Sequence, residues 1–435
     1  MNKKARKHIE TLALHAGHTP DPVTGARAVP IYMTTSYVFK SVKHASNLFS
    51  LKEFGYIYSR LQNPTTDVVE RRIAEMEGGS GALLTSSGMS AIFLAIHTIA
   101  GNGDHIISSS SLYGGTDTLF RYTFPRIGIS VSFVDKFTPD NVASAIKSNT
   151  KCIYFETLGN PAGDIPDISS IAKVAHKHGI PVIADNTFTP ILCQPIKHGV
   201  DIVIHSCTKW IGGHGTAIGG VIVDSGKFDW SSGRFPDFVE PDPSYHGLKY
   251  WEVFHNFPGH GNIAFIVKAR VQGMRNIGMC PSPFNAFLFL QGIETLPLRI
   301  HKQCENAMEL AKWLSGHRCV AWVNYTGLPG HPYRRMAQKY LSGGFGSVLG
   351  FGIKGGYKSA VKFIESLELA SHLANVGDAK TLVLHPASTS HRQMPEEQLT
   401  KLGITPDFIR VAVGIENIED IKADFDRALR IAVRR

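Results

Sequence analysis

The stretch DIVIHSCTKWIGGH at residues 201–214 decides the fold of this chain. Its apolar run, residues 202–204, predicts a buried strand, and small hydroxyl residues, a lysine and glycines follow directly. This order places the amine of Lys209 at the end of a strand, beside Ser206 and Thr208, whose hydroxyls suit a phosphate group. An amine in that position can perform carbonyl chemistry, either directly or through a cofactor that it binds covalently.

The composition is that of an ordinary globular protein with room for two or three domains. The chain has 435 residues, of which 43% are hydrophobic and 19% charged. It contains no apolar run as long as a membrane span, and no apolar signal segment follows the basic N-terminus. We therefore expect a cytoplasmic protein with no membrane partner.

The net charge of +9 raises the question of nucleic-acid binding. Much of the excess lies at the two ends of the chain, in Lys3, Lys4, Arg6, Lys7, Arg430, Arg434 and Arg435. Because the interior has no basic stripe interleaved with aromatic residues, we expect no nucleic-acid partner.

The six cysteines have no CxxC spacing, which argues against a zinc site or a redox motif. We therefore expect no metal. Cys207 lies close to the lysine and could be a nucleophile, but a buried thiol that fills space at a strand end is the favoured interpretation.

Residues 1–63 are irregular in pattern but rich in aromatic side chains. A long segment of this kind must pack on something, and we expect an extended arm that packs on a neighbouring subunit. From residue 65 onward strands and helices alternate, and seven strands are predicted near residues 81, 105, 131, 152, 181, 201 and 219. Near-continuous apolar strands alternating with helices predict a mostly parallel seven-stranded sheet covered on both faces.

Local sequence signals predict where helices begin and end, and which elements form the C-terminal part. Residues 65–67 are expected to cap a helix that runs to Glu77, and Asp167 to cap a helix closed by Gly179. Residues 229–258 have weak periodicity and predict a long excursion. Strands near residues 349, 382 and 409, with a final helix starting at Asn417, predict a smaller α+β C-terminal domain.

Unusual residues stand at the predicted carboxyl ends of the strands, where open α/β sheets bind ligands. They suit pyridoxal phosphate, which needs a lysine for its aldehyde and a carboxylate for its ring nitrogen. Lys209 and Asp185 can fill these two roles, and Tyr113 can stack on the ring. Ser206 and Thr208, two apart in an assumed extended segment, would point the same way and bind the phosphate.

The phosphate would also meet the N–H groups of Gly88 and Met89, where a helix is predicted to begin. The glycines Gly212, Gly213 and Gly215 do not fit a nucleotide loop, because the lysine precedes them. We expect them to allow close approach of the backbone to the cofactor.

Four segments carry a resemblance to a known family: YIYSRLQNPT at 56–65, SSGMS at 86–90, DNTF at 185–188 and HSCTKWIGGH at 205–214. With them the chain resembles the cystathionine γ-synthase-like enzymes of Cys/Met metabolism, which use pyridoxal phosphate and have fold type I. The resemblance implies an N-terminal arm (1–63), a cofactor-binding domain (64–270) and a C-terminal substrate-binding domain (271–435).

The resemblance also implies roles for residues that no local pattern singles out. Tyr58 and Arg60 match residues that reach the phosphate in the neighbouring subunit, so a homodimer would share its active sites and a homotetramer would pair two dimers. Asn160 matches a contact to the ring hydroxyl of the cofactor. Arg410 matches the residue that binds the substrate α-carboxylate, and Ser388 matches a nearby contact to that carboxylate or to the lysine.

Within the family, residues 30–39, 243–248 and 375–389 are most similar to the members that replace the γ-acetoxy group of O-acetylhomoserine with sulfide or a thiol. In that hypothesis Lys209 and Tyr113 are the catalytic residues. The alternatives are a γ-lyase acting on methionine or cystathionine, and γ-replacement with an O-succinyl donor. Gly115 stands where methionine γ-lyases commonly carry cysteine, which weakens the γ-lyase alternative. A non-enzymatic descendant of the fold is disfavoured, because the cofactor residues are all present.

Overall fold

The computed structural model describes residues 7–159, 163–389 and 403–433, and its core is a seven-stranded sheet. The strands are β1 Gly81–Thr85, β2 His105–Ser109, β3 Ser130–Val134, β4 Thr150–Glu156, β5 Val182–Asp185, β6 Ile202–Ser206 and β7 Gly220–Asp224. Their order is β1-β7-β6-β5-β4-β2-β3. Only β7 pairs antiparallel with its neighbours, so the predicted mostly parallel sheet is confirmed.

A second, five-stranded sheet belongs to the C-terminal part of the chain. Its strands are β8 Val320–Asn324, β9 Val348–Ile353, β10 Ser371–His372, β11 Leu382–Leu384 and β12 Phe408–Ala412. The order is β10-β11-β12-β9-β8, and only the β10–β11 pair is parallel. Together with its helices this sheet makes the smaller α+β part that the sequence predicted.

Sixteen α-helices of the described residues surround the two sheets. They are α1 Ile9–His15, α2 Val42–Phe49, α3 Pro64–Glu77, α4 Gly88–His97, α5 Gly114–Thr118, α6 Phe124–Arg126, α7 Pro139–Ala145, α8 Ile168–Lys177, α9 Pro236–Val239, α10 Tyr250–Phe254, α11 Ala264–Lys268, α12 Arg275–Ile277, α13 Pro283–Ser315, α14 Arg334–Tyr340, α15 Gly356–Glu365 and α16 Ile418–Ala432. Two π-helical stretches, Leu119–Thr123 and Ala269–Met274, continue α5 and α11, and 3₁₀ turns occur at Pro195–His198, Pro243–Tyr245 and Pro386–Ser388.

Both faces of the large sheet are buried, which is why its central strands are apolar throughout. On one face, Val203 and Ala184 pack with Val69 and Ile73 of α3. The alternate strand residues face a second apolar cluster that includes α4. Helices α3 and α4 therefore cover opposite faces of the sheet near the carboxyl ends of its strands.

One predicted helix cap was wrong, and the other occupies its N-cap position without the expected side-chain hydrogen bond. The N-cap of α3 is Asn63, whose side chain accepts from the N–H of Thr65 at 2.9 Å, and Pro64 fills the first helical position. Asp167 does precede α8, but its carboxylate caps no backbone N–H. It accepts hydrogen bonds from Lys339 and Tyr340 of α14 instead.

The excursion at residues 229–258 is held to the body of the protein by buried aromatic rings. Trp230 stacks on Phe238 with ring centroids 4.7 Å apart and on Phe265 of α11 at 5.3 Å. Its short helices α9 and α10 explain the weak periodicity. Within the described residues, no helix is long and apolar enough to cross a membrane.

Candidate active site

A cavity of about 310 Å³ opens at the carboxyl ends of the parallel strands, facing strands β11 and β12 of the second sheet. It brings together eight residues singled out from the sequence: Gly88, Met89, Tyr113, Asp185, Ser206, Thr208, Lys209 and Arg410. They come from both sheets, so the site lies between the two parts of the chain.

Lys209 lies in the turn that follows β6, where its N–H donates to the oxygen of Ser206 at 3.2 Å. Its Nζ donates to Asn375 Oδ1 at 2.6 Å. Burial lowers the pKa of the Lys209 amine to about 8, and the positive charge of Arg410 acts in the same direction. A larger fraction of this amine is therefore neutral near pH 8 than for an ordinary lysine.

Arg410 reaches the same cavity from β12 and is 7% exposed. Its Nη2 donates to the backbone oxygen of Asn375 at 3.3 Å. Burial lowers the pKa of the guanidinium to about 10, and Tyr113 partly offsets the effect. The group still carries its charge at neutral pH and is suited to bind a carboxylate.

Asp185 ends β5 at the floor of the cavity. Its carboxylate accepts from the N–H of Thr187 at 2.9 Å and from the hydroxyl of Tyr154 at 3.4 Å. Burial raises the pKa of this carboxyl, while both donors are neutral groups. A partly buried carboxylate held this way favours a cationic group within contact distance, such as a protonated ring nitrogen.

Ser206, Thr208 and Gly88 form one wall of the cavity. The expectation that Ser206 and Thr208 share an extended segment was wrong, because β6 ends at Ser206 and residues 207–212 form turns. The Thr208 hydroxyl donates to the oxygen of Gly219 at 3.2 Å. A Cβ at Gly88 would lie only 2.7 Å from Cβ of Ser206, so only glycine lets α4 begin this close to the strand.

Tyr113 precedes α5 at the mouth of the cavity, and the residue is 53% exposed. Its backbone N–H donates to Glu156 Oε1 at 2.5 Å. Glu156 ends β4 and lies in register with Asp185 on the neighbouring strand. The backbone of Tyr113 is therefore held by Glu156, while much of its side chain is open to solvent.

The expectation that the glycines after the lysine approach the cofactor was wrong. Gly212, Gly213 and Gly215 do not line the cavity. Gly213 has φ +72°, and a Cβ there would collide with the guanidinium of Arg299 on α13. A Cβ at Gly212 would lie 2.9 Å from the oxygen of Cys207. These glycines let the turn pack against itself and against α13.

Of the predicted site residues that the structure describes, Tyr58, Arg60 and Ser388 are not in the cavity wall. Asn160 lies outside the described residues. The Arg60 guanidinium donates to the backbone oxygen of Arg275 and lies 5.4 Å from the centroid of the Tyr58 ring. The Ser388 hydroxyl is bonded to His385 Nδ1 at 2.8 Å, so it is already engaged away from the wall.

Asn375 touches both Lys209 and Arg410, and no sequence pattern assigned it a role. Thr187 was also missed: its hydroxyl accepts from the N–H of Ser206 at 2.7 Å and joins β5 to β6. A signal was present, since both residues fall in segments that carried the resemblance. Cys207 is fully buried and burial raises the pKa of its thiol, as suits a residue that fills space.

The wall of the cavity fits pyridoxal phosphate. It offers a lysine amine of lowered pKa, a partly buried carboxylate bonded by neutral donors, and a glycine-lined corner with hydroxyls beside the start of α4. These are the three groups that the aldehyde, the ring nitrogen and the phosphate require.

Known proteins are similar in sequence to this chain over nearly its whole length. Residues 10–430 match the family described as Cys/Met metabolism PLP-dependent enzyme. O-acetyl-L-homoserine sulfhydrylase of Leptospira meyeri is 55% identical over 97% of this chain and 96% of its own length. Homocysteine synthase of Schizosaccharomyces pombe is 54% identical over 98% of this chain and 99% of its own.

Solved structures agree with the sequence relatives. A crystal structure described as an O-acetylhomoserine (thiol)-lyase from Campylobacter jejuni, with a pyridoxyl-lysine phosphate residue in its chain, matches with a TM-score of 0.93 and 40% identity. The match covers 98% of this chain and 100% of that one. This chain therefore belongs to the Cys/Met metabolism family of enzymes that depend on pyridoxal phosphate.

Proposed function

We propose that this enzyme replaces the γ-acetoxy group of O-acetyl-L-homoserine with sulfide, giving L-homocysteine and acetate. Hydrosulfide supplies the sulfur and its proton, a Cγ–S bond forms, and the Cγ–O bond to acetate breaks. The observation that carries the proposal is full-length similarity to relatives named for this reaction, at 54% and 55% identity. A thiol in place of sulfide would give methionine or another thioether by the same exchange.

We further propose roles for the residues around the cofactor. Lys209 holds the aldehyde carbon, Asp185 the ring nitrogen, and Tyr113 stacks on the ring. The N–H groups of Gly88 and Met89 and the side chains of Ser206 and Thr208 bind the phosphate. Tyr58 and Arg60 of a second subunit complete its binding site. Asn160 contacts the ring hydroxyl. Support comes from the shared cavity of the first seven of these residues.

When bound, pyridoxal phosphate serves as an electron sink for charge that develops next to the substrate amine. The chain must then move protons and hold the substrate. Lys209, with its lowered pKa, is suited to accept the proton from the substrate α-carbon and to return it later. Tyr113 lies on the open side of the cavity, where it can assist proton transfer at the next carbon.

Arg410 is proposed to bind the substrate α-carboxylate through its guanidinium. It is buried, charged and linked to Lys209 through Asn375, so the carboxylate and the reacting carbon would be placed relative to one another. Ser388 is proposed as a secondary contact, which requires its hydroxyl to leave His385.

We propose that the working unit is a homodimer with shared sites, paired into a homotetramer in the cytoplasm. Apolar side chains exposed on the arm support this, since they are costly to leave in water: Val23, Met33, Val38, Val42, Phe49 and Phe54. We retain the three-part division at residues 1–63, 64–270 and 271–435, whose second boundary falls in the π-helical stretch Ala269–Met274.

The test is a comparison of donors with one purified enzyme. O-acetyl- and O-succinyl-homoserine are each supplied with sulfide, cysteine or methanethiol, and the products are identified by mass spectrometry. We expect homocysteine from the acetyl ester and sulfide as the fastest reaction. Release of 2-oxobutyrate from methionine alone, at a higher rate, would instead assign a γ-lyase.

A further inference from the structure

A buried pair of ionisable side chains lies outside the cavity, directly behind the strands that form its floor. Glu77 ends α3 and His205 lies on β6, and their side chains are 5% and 2% exposed. His205 Nε2 bonds Glu77 Oε1 at 2.7 Å. Because side chains alternate along a strand, His205 faces α3 while its neighbour Ser206 faces the cavity.

The same carboxylate oxygen reaches the neighbouring strand end. Asn186 Nδ2 donates to Glu77 Oε1 at 3.2 Å, and Asn186 Oδ1 accepts from the hydroxyls of Thr157 and Thr189 at 2.9 and 2.7 Å. Asn186 is fully buried and directly follows Asp185. Glu77 therefore bonds the residue next to Asp185, which is Asn186, and the residue next to Ser206, which is His205.

Such a pair is costly to bury, because two polar groups lose their water and are only partly compensated. Glu77 Oε2 and His205 Nδ1 have no hydrogen-bond partner among the described residues. Two apolar residues of similar size would fill the space between α3 and β6 at lower cost. The directional hydrogen bonds of the pair place two strand ends at once, which apolar contacts cannot do.

We propose that the Glu77–His205 pair is a positioning element that holds the ends of β5 and β6, and with them Asp185 and Ser206, in the geometry that the cofactor requires. The inference rests on the cofactor roles proposed above for Asp185 and Ser206. Neither Glu77 nor His205 touches the cavity, so both act through their neighbours.

The fold supplies a matched control at the other end of the same strand. Asp201, which precedes β6, pairs with His176 of α8 at 2.8 Å between Oδ2 and Nε2. Asp201 is 3% exposed and also accepts from the N–H of Val182 at 2.8 Å. This pair joins the same two strands to a helix, but at the amino ends of the strands, far from the cavity.

The test compares Glu77→Leu with Asp201→Leu in the full-length chain freed of cofactor. Each change removes one buried carboxylate together with the hydrogen bonds that it accepts. The probe is 4′-deoxypyridoxine 5′-phosphate, which lacks the aldehyde and so reports the ring and phosphate contacts without the lysine bond. Its dissociation constant is measured by fluorescence titration, and thermal unfolding of the free chain is recorded for both variants.

We expect Glu77→Leu to weaken probe binding about tenfold, as for groups one step behind a ligand, while Asp201→Leu changes it less than about twofold. Both variants should unfold at lower temperature than the parent chain. His205→Gln, which can still donate to Glu77, should recover most of the affinity that His205→Leu loses. Equal weakening by the Glu77 and Asp201 changes, or unchanged binding in Glu77→Leu, would overturn the proposal.

Two further variants separate this inference from the proposed site. Asp185→Asn and Ser206→Ala alter the side chains that the pair is proposed to place. If both bind the probe as tightly as the parent chain, the proposed cofactor roles fail. If both weaken binding and Glu77→Leu does not, the roles stand and the positioning inference alone fails.

Discussion

Lys209 Nζ donates to Asn375 Oδ1 at 2.6 Å, and the backbone oxygen of the same asparagine accepts from Arg410 at 3.3 Å. One residue from the C-terminal part of the chain thus contacts both cationic groups of the cavity. A hydrogen bond from a charged donor contributes about 1.5–3 kcal/mol, so this contact is a substantial restraint on the lysine.

We predict that Asn375→Leu lowers kcat/KM for O-acetylhomoserine about tenfold or more, because the amine loses its acceptor and Arg410 loses a fixed neighbour. Steady-state kinetics measure the effect. Asn375→Asp is the companion variant: its negative charge should raise the pKa of Lys209. Full kcat/KM in the leucine variant would show that the contact has no role in turnover.

The pH dependence of cofactor binding follows from the lowered pKa of Lys209. The neutral amine attacks the aldehyde, so the rate of pyridoxal phosphate uptake by the free chain should rise as pH passes through about 8, well below the range of an ordinary lysine. Arg410→Gln removes a charge that lowers this pKa and should shift the midpoint upward. Stopped-flow absorbance measures the profile. An unchanged midpoint in the variant would mean that burial alone sets it.

Gly115 is predicted to keep the Tyr113 ring in place. A Cβ at residue 115 would lie 2.5 Å from Cε1 of that ring, so Gly115→Ala must displace it. We expect a fall in turnover of about tenfold with little change in stability, as only an exposed ring moves.

Gly114→Ala is the matched control for that variant, since nothing lies within 4 Å of a Cβ at residue 114. It should leave kinetics unchanged. Both variants begin α5, so any general effect of alanine on that helix is shared. Similar loss in the two would argue against a role for the ring.

Asn63 is predicted to be the main attachment of the arm. It caps α3, and its Nδ2 also donates to the oxygen of Tyr32 and to the hydroxyls of Tyr37 and Ser59 at 2.8–3.1 Å. Asn63→Ala should lower the free energy of unfolding by about 2 kcal/mol, because loss of the cap is joined by loss of buried hydrogen bonds.

Ser41→Ala provides the comparison, since it removes the cap of the exposed helix α2. We expect a loss of about 0.5–1 kcal/mol there. Urea unfolding of the cofactor-free chain measures both variants. A loss of unfolding free energy in Asn63→Ala no larger than that in Ser41→Ala would show that Asn63 is not the main attachment of the arm.

The sequence predicted the strands of the large sheet well, because burial on both faces requires apolar runs such as residues 202–204. It missed β8, in which Ala321 is exposed and Trp322 half-buried, so no clear period exists. It also missed the cap at Asn63, although proline at the first helical position is a usable signal.

The site was predicted where function depends on residues close along the chain, such as Ser206 and Lys209. Contacts between distant residues were not: Asn375 lies 166 positions from Lys209, and Glu77 lies 128 from His205. No local spacing reports such pairs, because they arise only when two sheets or a sheet and a helix pack. The turn after β6 also altered the geometry assumed for Thr208.

The central claim is that Lys209 carries out a γ-replacement on O-acetyl-L-homoserine. The most direct measurement incubates the parent enzyme and Lys209→Ala, each with pyridoxal phosphate, O-acetyl-L-homoserine and sulfide, and quantifies homocysteine and acetate by mass spectrometry. The account predicts equal amounts of the two products from the parent enzyme and almost none from the variant. Full turnover by Lys209→Ala, or acetate without homocysteine from the parent enzyme, would contradict it.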